Sequence, residues 1–433
     1  MKEVFIVEYA RTPFSRARPR NPERDAFSEI PGGRLVAETL NNIIDVRLQG
    51  KIKREEVDQV MMGLCNNFGD NFSLSGRLAD FYAKFPNKIP AISIDQQCGS
   101  GMTAIQHGFM SIKLGYEDIV IATAFEHQTR EPMHNNPHIK IDTAIADSSS
   151  RWYNPDFDLA CSLVMIQTAQ KLFEMRIDQF SKQDLDQYGV RSHNLAEKYL
   201  KAGYFKDEII PVLGHMEGDI SQELLVEHDL AIREGANLEE TQKTPAISKP
   251  GWAGGYLHPL LDKKTYTSKN GGNPDGVITP GNSSPLNAGA ATVMLMSKEK
   301  MEEKGLTPLA RIVEIGWAGV DPSVMGRGPI PATQFALKKT DMKVDDIDFW
   351  EINEAFTIVT LNAVYELEIQ NHQNTVNVRG GSTAIGHPIA ATGIRMTGTL
   401  ARILKEEKAQ FGCATMCCGG GQGTAIIIEN PEA

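Results

Sequence analysis

Hydrophobic and polar positions along the chain fall into blocks that read as a repeated strand-turn-helix-strand unit. Ala91–Asp95 is a short apolar run, the stretch from Gln96 through Cys98-Gly99-Ser100-Gly101 breaks it, and Thr103–Leu114 carries apolar residues at helical spacing. After Gly115, the run Ile119–Phe125 is long enough for a buried strand, and this order of elements predicts a parallel sheet. A similar order returns near the C-terminus. Thr375–Val378 reads as extended, Gly380-Gly381 and Gly386-His387-Pro388 as turns, Ile389–Leu404 as a helix, and Phe411–Cys418 and Thr424–Glu429 as strands. The chain therefore reads as two related α/β halves, a duplication carried by element order because the sequences share negligible identity.

Between the halves, residues 128–276 turn polar and rich in His, Asn and Gly, with one clear helical region at Asp178–Leu200. Trp152, Tyr153, Phe157 and Trp252 favour a packed insert over a disordered one, and it reads as a lid or binding excursion rather than a linker. The predicted units are residues 1–127 with 277–297, the insert 128–276, and residues 298–433.

Composition narrows the class. A chain of 433 residues that is 41% hydrophobic can bury more than one core. Its net charge of -11 argues against general nucleic-acid binding, so an anionic ligand needs a local basic patch. No stretch approaches the roughly 18 apolar residues of a membrane span, and the segment from Met1 lacks a signal peptide's apolar run, which sets the expectation of a cytoplasmic protein. Six cysteines are too sparse for a disulfide framework and show no C-x-x-C pair, so free thiols rather than a metal site are expected.

Some of those thiols sit where chemistry is possible. Cys98 lies where a strand ends and a helix begins, so its thiol is expected to point at free helical N–H groups that favour the thiolate; the alternative is a small buried hydrophobe. His387, in a turn whose Pro388 suits the first helical position, could be structural, yet a Cys and a His suffice for an activated nucleophile. Cys417 ends an apolar strand before Gly419-Gly420-Gly421, whose bare N–H groups could build an oxyanion hole or simply a glycine-rich hairpin. Asn353 follows the apolar run Ile347–Ile352 and is expected at the cap of a helix reaching Glu368; it could also hold a water against a developing oxyanion.

Together, Cys98-Gly-Ser-Gly, Asn353-Glu-Ala-Phe, Gly386-His387-Pro388 and Cys417-Cys-Gly-Gly-Gly resemble the thiolase family in order and spacing, from Arg11-Thr12-Pro13-Phe14 to the end of the chain. Gly326-Arg-Gly-Pro-Ile-Pro331 and Thr279-Pro-Gly-Asn-Ser-Ser284 add to the match. The chain departs from the family at Thr123-Ala124-Phe125-Glu126-His127 and at Ala288-Gly289, and it carries Val164-Met165 where short-chain members have a His-Met pair, which speaks against an acetyl-only pocket. The resemblance implies a five-layered αβαβα fold with an inserted loop domain, a dimer or tetramer, and acyl transfer between acyl-CoA and coenzyme A with cleavage or formation of a 3-ketoacyl-CoA. Coenzyme A enters as a substrate, with no permanently bound cofactor.

The resemblance also assigns roles. Cys98 forms the acyl-enzyme, His387 takes its proton, and Cys417 moves the α-proton. His387 with an Asn353-held water stabilises the enolate, and the N–H groups of Cys98 and Gly419 stabilise the acyl oxyanion. Arg233 matches an arginine on the adenine side of the coenzyme, Ser284 meets the pantetheine arm, and Met165 lines the acyl pocket. Two rivals stand beside this reading. A ketoacyl synthase would pair its Cys with two histidines, and a non-catalytic thiolase-fold carrier would lose the Cys or the His.

Overall fold

The computed structural model describes residues 1–71, 74–133, 142–248 and 276–433. The strands are β1 (Val4–Arg11), β2 (Ser15–Arg16), β3 (Gln59–Leu64), β4 (Ala91–Asp95), β5 (Ile119–His127) and the hairpin β6 (Val212–Met216) and β7 (Asp219–Val226). They continue with β8 (Asn287–Ser297), β9 (Ala310–Gly319), β10 (Phe349–Ile352), β11 (Phe411–Cys418) and β12 (Gln422–Glu429). Helices of eight or more residues are α1 (Gly32–Asn41), α2 (Ser75–Tyr82), α3 (Ser100–Leu114), α4 (Met165–Met175), α5 (Lys182–Lys201), α6 (Pro329–Thr340), α7 (Thr357–Glu366) and α8 (Thr392–Glu407).

The duplication read from element order is visible in strand pairing. One half runs β4-β3-β5-β8-β1, with two parallel pairings followed by two antiparallel ones. The other starts from a parallel bridge at Val376 and runs β10-β11-β12-β9 with the same succession of pairings. The two meet where β1 touches β9 through only Phe5↔Arg311 and Ile6↔Ala310.

Alternating side chains then generate the layers. In β5, Ile119, Ile121 and Phe125 face a core shared with Leu35 and Leu40 of α1, whereas Val120, Ala122 and Ala124 face one shared with Ile105 of α3. That second, central core also contains Ile394 and Leu400 of α8 and Ile426 of β12. On the far side, Ile427 of β12 packs with Ala336 of α6 and Ala363 of α7. The succession is helices, sheet, the pair α3 and α8, sheet, helices: the expected five layers. Both faces of the central strands are buried, which is why they read as continuous apolar runs rather than alternating ones.

Several local expectations differ from the structure. Residues Thr375–Val378 are not a strand: His372–Thr375 is a helical turn and only Val376 bridges Trp350. The Asn377 side chain replaces the missing ladder, bonding both the N–H and the C=O of Ile352 at 2.8 Å. The last long helix begins at Thr392, not at Pro388, after a 3-10 turn over Ile389–Ala391. In the insert, α5 starts at Lys182, where Ser181 and Asp184 form a capping box. Trp152 and Tyr153 do not pack as expected: Trp152 is 64% exposed, because side-chain-capped turns at Asp147, Ser150 and Asn154 satisfy this backbone locally. Trp252 lies outside the described residues.

A buried ion cluster fastens the insert to β1. The Arg11 guanidinium makes paired bonds of 2.7 and 2.9 Å to Asp229, and Glu208 lies 3.5 Å away, all without solvent exposure. Arg11→Ala leaves two buried carboxylates without their cation and is expected to cost about 3–5 kcal/mol in urea unfolding; a loss below about 1 kcal/mol would show that the cluster does not hold the insert.

Candidate active site

Cys98 occupies a 3-10 turn, Gln97–Gly99, between β4 and α3. The preceding residue, Gln97, has φ of 52°, a left-handed conformation that a non-glycine residue keeps only when its surroundings impose it. Asp95 does so by accepting the Gln97 N–H at 2.8 Å, and Ser100 bridges the turn to β3 through a 2.6 Å bond to the Leu64 carbonyl. The Cys98 thiol, 8% exposed, receives the N–H of Gly419 and that of Cys98 itself. The expectation of a favoured thiolate is nevertheless corrected. Burial pushes the thiol up to about 12, outweighing these two donors, and the nearby Glu126 adds to the rise. Glu126 is itself pushed up by burial to about 8, which keeps it protonated near neutral pH.

His387 is held neutral by burial, which lowers it to about 3, with the Arg395 charge adding to the effect. Its tautomer follows from its neighbours. Thr392 Oγ1 donates its single hydrogen to the Pro388 carbonyl at 2.9 Å, so at 2.7 Å it accepts from His387 Nδ1. Nε2 is left with the lone pair. The His387 N–H donates to Asn287 Oδ1 at 2.8 Å, seating this loop on β8.

Asn353 is not a helix cap. The helix begins at Thr357 after Phe356, and the Asn353 side chain turns inward. Ser382 Oγ accepts from Arg395 Nη2 at 2.9 Å and donates to Asn353 Oδ1 at 2.7 Å, so the Asn353 amide nitrogen faces His387 Nε2 at 3.5 Å. Behind them Arg395 pairs with Glu351 at 2.7 Å, and both are about 1% exposed. Ser382, Thr392, Arg395 and Glu351 escaped the sequence reading. Thr392, Arg395 and Glu351 lie in stretches that read only as a helix and an apolar run, and nothing in sequence spacing joins Glu351 on β10 to Arg395 on α8.

The neighbouring cysteines of β11 face opposite ways. Cys417 packs with Leu172, Met325 and Phe356, with Met165 at the edge of that cluster. Cys418 faces the central core with Met102 and Ala390, and the Gly99 N–H points at its sulfur. Burial raises both thiols, and each feels Cys98 as a neighbour. Two glycines let these segments meet. A side chain at Gly101 would strike the Ala390 carbonyl at 2.4 Å, and Gly386 adopts φ of 121° against the Asn287 amide.

The residues assigned to the coenzyme line one loop. Ser284 contacts Ala355, beside Asn353, through both its N–H (3.1 Å) and its hydroxyl (3.0 Å), so that hydroxyl is left only as an acceptor. Arg233 Nη2 donates to the Pro280 carbonyl of the same loop at 2.8 Å. Met165 opens α4.

Known proteins resemble this chain along its whole length. The thiolase N-terminal domain model matches residues 4–254 and the thiolase C-terminal domain model residues 306–430. A 3-ketoacyl-CoA thiolase of Marinobacter nauticus is 32% identical over 99% of this chain and 98% of its own length, and one of Chromohalobacter salexigens is 31% identical over the same shares. Among solved structures, the Bacillus anthracis acetyl-CoA acetyltransferase superposes with a TM-score of 0.80 at 31% identity, covering 99% of both chains. The human mitochondrial 3-ketoacyl-CoA thiolase in complex with CoA superposes with a TM-score of 0.78 at 28% identity, covering 99% of this chain and 98% of its own. The chain belongs to the thiolase family and is an acyltransferase.

Proposed function

We propose that the protein interconverts a 3-ketoacyl-CoA plus coenzyme A with acetyl-CoA plus a shortened acyl-CoA, through an acyl-enzyme on Cys98. The observation that carries this reading is a buried thiol with two backbone donors, on a turn packed against the turn that follows His387, whose neutral imidazole turns its Nε2 lone pair toward the Asn353 amide. In cleavage, Cys98 sulfur attacks the 3-keto carbon while its proton passes to His387 Nε2. The bond between C2 and C3 breaks, its electron pair becomes the acetyl-CoA enolate, and Cys417 supplies the proton that converts it to acetyl-CoA.

The second half returns both protons. Coenzyme A gives its thiol proton to the Cys417 thiolate, its sulfur takes the acyl group, and Cys98 leaves and recovers a proton from His387. Because thiol and imidazole are both neutral at rest, proton transfer accompanies the attack rather than preceding it. The N–H groups of Cys98 and Gly419 suit the acyl oxyanion, while Asn353, through a held water, and the protonated Nε2 suit the enolate. Met165, beside Cys417, lines the acyl side; Ser284 and Arg233 lie along the coenzyme's path.

A homodimer or homotetramer fits the surface. β4 pairs with β3 on one side and, among the described residues, has no strand on the other, and Ile92, Leu78, Phe81 and Tyr82 are exposed beside that open edge. No helix among the described residues is long and apolar enough to cross a membrane. Six free cysteines suit a reducing, cytoplasmic setting.

Incubation with an acyl-CoA followed by peptide mapping is expected to label Cys98; label on Cys65 or Cys161 would defeat the assignment. Cys417→Ser is expected to stop α-proton exchange while leaving acylation of Cys98, and Cys418→Val to keep turnover within a few-fold, roughly what an isosteric core swap allows. The opposite pattern would reverse the two cysteines' roles. Asn353→Ala is expected to lower kcat about a hundredfold, and Ser382→Ala about tenfold, by releasing the amide that faces His387, with KM little changed. If Ser382→Ala lowers only the melting temperature, the hydroxyl is structural.

A further inference from the structure

Two turns, one from each half of the chain, meet at the Cys98 sulfur. The Gln97–Gly99 turn, which carries the thiol, belongs to the first half, whereas the Gly419 N–H that the thiol receives belongs to the β11–β12 hairpin of the second. The half-sheets share only two residue pairs, so the sheet does little to set the distance between thiol and donor. The hairpin does not set it alone either. Gly419, Gly420 and Gly421 are consecutive, and residues without side chains have the widest choice of backbone angles.

A chain of side-chain hydrogen bonds spans the gap. Gln422, the first residue of β12, donates from Nε2 to the Gly419 carbonyl at 3.3 Å, and its Oε1 accepts from Gln96 Nε2 at 3.0 Å. Gln96 Oε1 in turn accepts the hydroxyl hydrogen of Thr103 on α3. One atom directs the whole chain. A carbonyl can only accept, so Gln422 turns its NH2 group to Gly419 and its oxygen to Gln96; that oxygen requires the Gln96 NH2 group, which leaves the Gln96 oxygen for the Thr103 hydroxyl. The bond between the two amides joins residues 326 positions apart. Close packing completes the tie: a side chain at Gly419 would lie 3.0 Å from Cγ of Gln97, so the hairpin rests on the residue whose left-handed backbone shapes the Cys98 turn.

We propose that Gln96 and Gln422 are positioning residues for acyl transfer: their paired amides tie Gly419 to the Cys98 turn and keep the Gly419 N–H aimed at the oxyanion that forms when Cys98 is acylated. This rests on Cys98 being the acylated thiol. A donor of this kind contributes only if it is in place before the charge develops, and a displacement of about 1 Å can cost on the order of a hundredfold in rate. Neither amide has to touch the substrate. The pair lines an open cleft with Ile94, His107 and Trp317, so replacing either amide by Met leaves no closed cavity behind.

The test compares the parent with Gln96→Met, Gln422→Met, the double variant and Thr103→Val in two reactions of Cys98. Single-turnover acylation by an acyl-CoA builds an oxyanion; alkylation by iodoacetamide expels iodide from a saturated carbon and builds none. Acylation is expected to slow about tenfold or more in each Gln variant, with the half-saturating acyl-CoA concentration little changed, while alkylation stays within about threefold of the parent. Both substitutions break one chain, so the double variant is expected to be no slower than Gln422→Met. Thr103→Val frees the Gln96 oxygen but leaves the amide pair, and a smaller fall confined to acylation is expected; this variant carries the test if a Gln variant does not fold. Unchanged acylation, equal slowing of both reactions, or additive losses in the double variant overturns the proposal. Failure of the catalytic reading is seen separately, as absence of acyl label on Cys98 in the parent.

Discussion

Removal of water from the proposed catalytic groups is the constraint on which the rest of the site depends. Cys98, His387, Asn353 and Cys417 are all buried, where a charge is poorly solvated. The thiol therefore keeps its proton and the imidazole stays neutral. In the mechanism we propose, activation comes from donors and acceptors already aimed at the charge that appears when substrate arrives, and not from a standing thiolate. Such aiming needs fixed hydrogen positions. The bonds from Thr392 to His387 and from Ser382 to Asn353 provide them, because each hydroxyl has one hydrogen and that hydrogen is committed.

The same constraint explains the buried ion pair behind the site. Arg395 would be costly alone, and Glu351 opposes its charge at 2.7 Å. Their joint effect is to hold Ser382, while the Arg395 charge still reaches the imidazole and favours its neutral form. Arg11, Asp229 and Glu208 play the corresponding part for the insert, anchoring it to the first strand so that α4 and its Met165 stay against the Cys417 face.

Much of this was legible in the amino-acid order, and what escaped shares one physical character. Runs such as Ile119–Phe125 and the turn at Cys98 could be read because strand period and turn residues are local properties. Asn353 was expected at a helix cap because Asn before an apolar helix usually serves there, but a hydroxyl 29 residues later offered its carbonyl a better partner. The Thr375–Val378 strand failed for a similar reason, since Asn377 satisfies Ile352 with its side chain instead of its backbone. The thiolate expectation counted the helix N-terminus and could not count burial, which only the assembled core reveals. Trp152 and Tyr153 failed in the other direction: Ser150 meets both of their N–H groups within the turn, and both rings lie exposed.

The seam between the two half-sheets has a further consequence. Only two residue pairs join β1 to β9, so the halves are registered mainly by α3 packing on α8 in the middle layer. The proposed nucleophile belongs to one half, and the imidazole, the amide and the second thiol belong to the other. A chain in which one half has folded and the other has not carries a thiol with its own N–H but without the Gly419 donor or the proposed base. Completion of the site therefore coincides with completion of the fold.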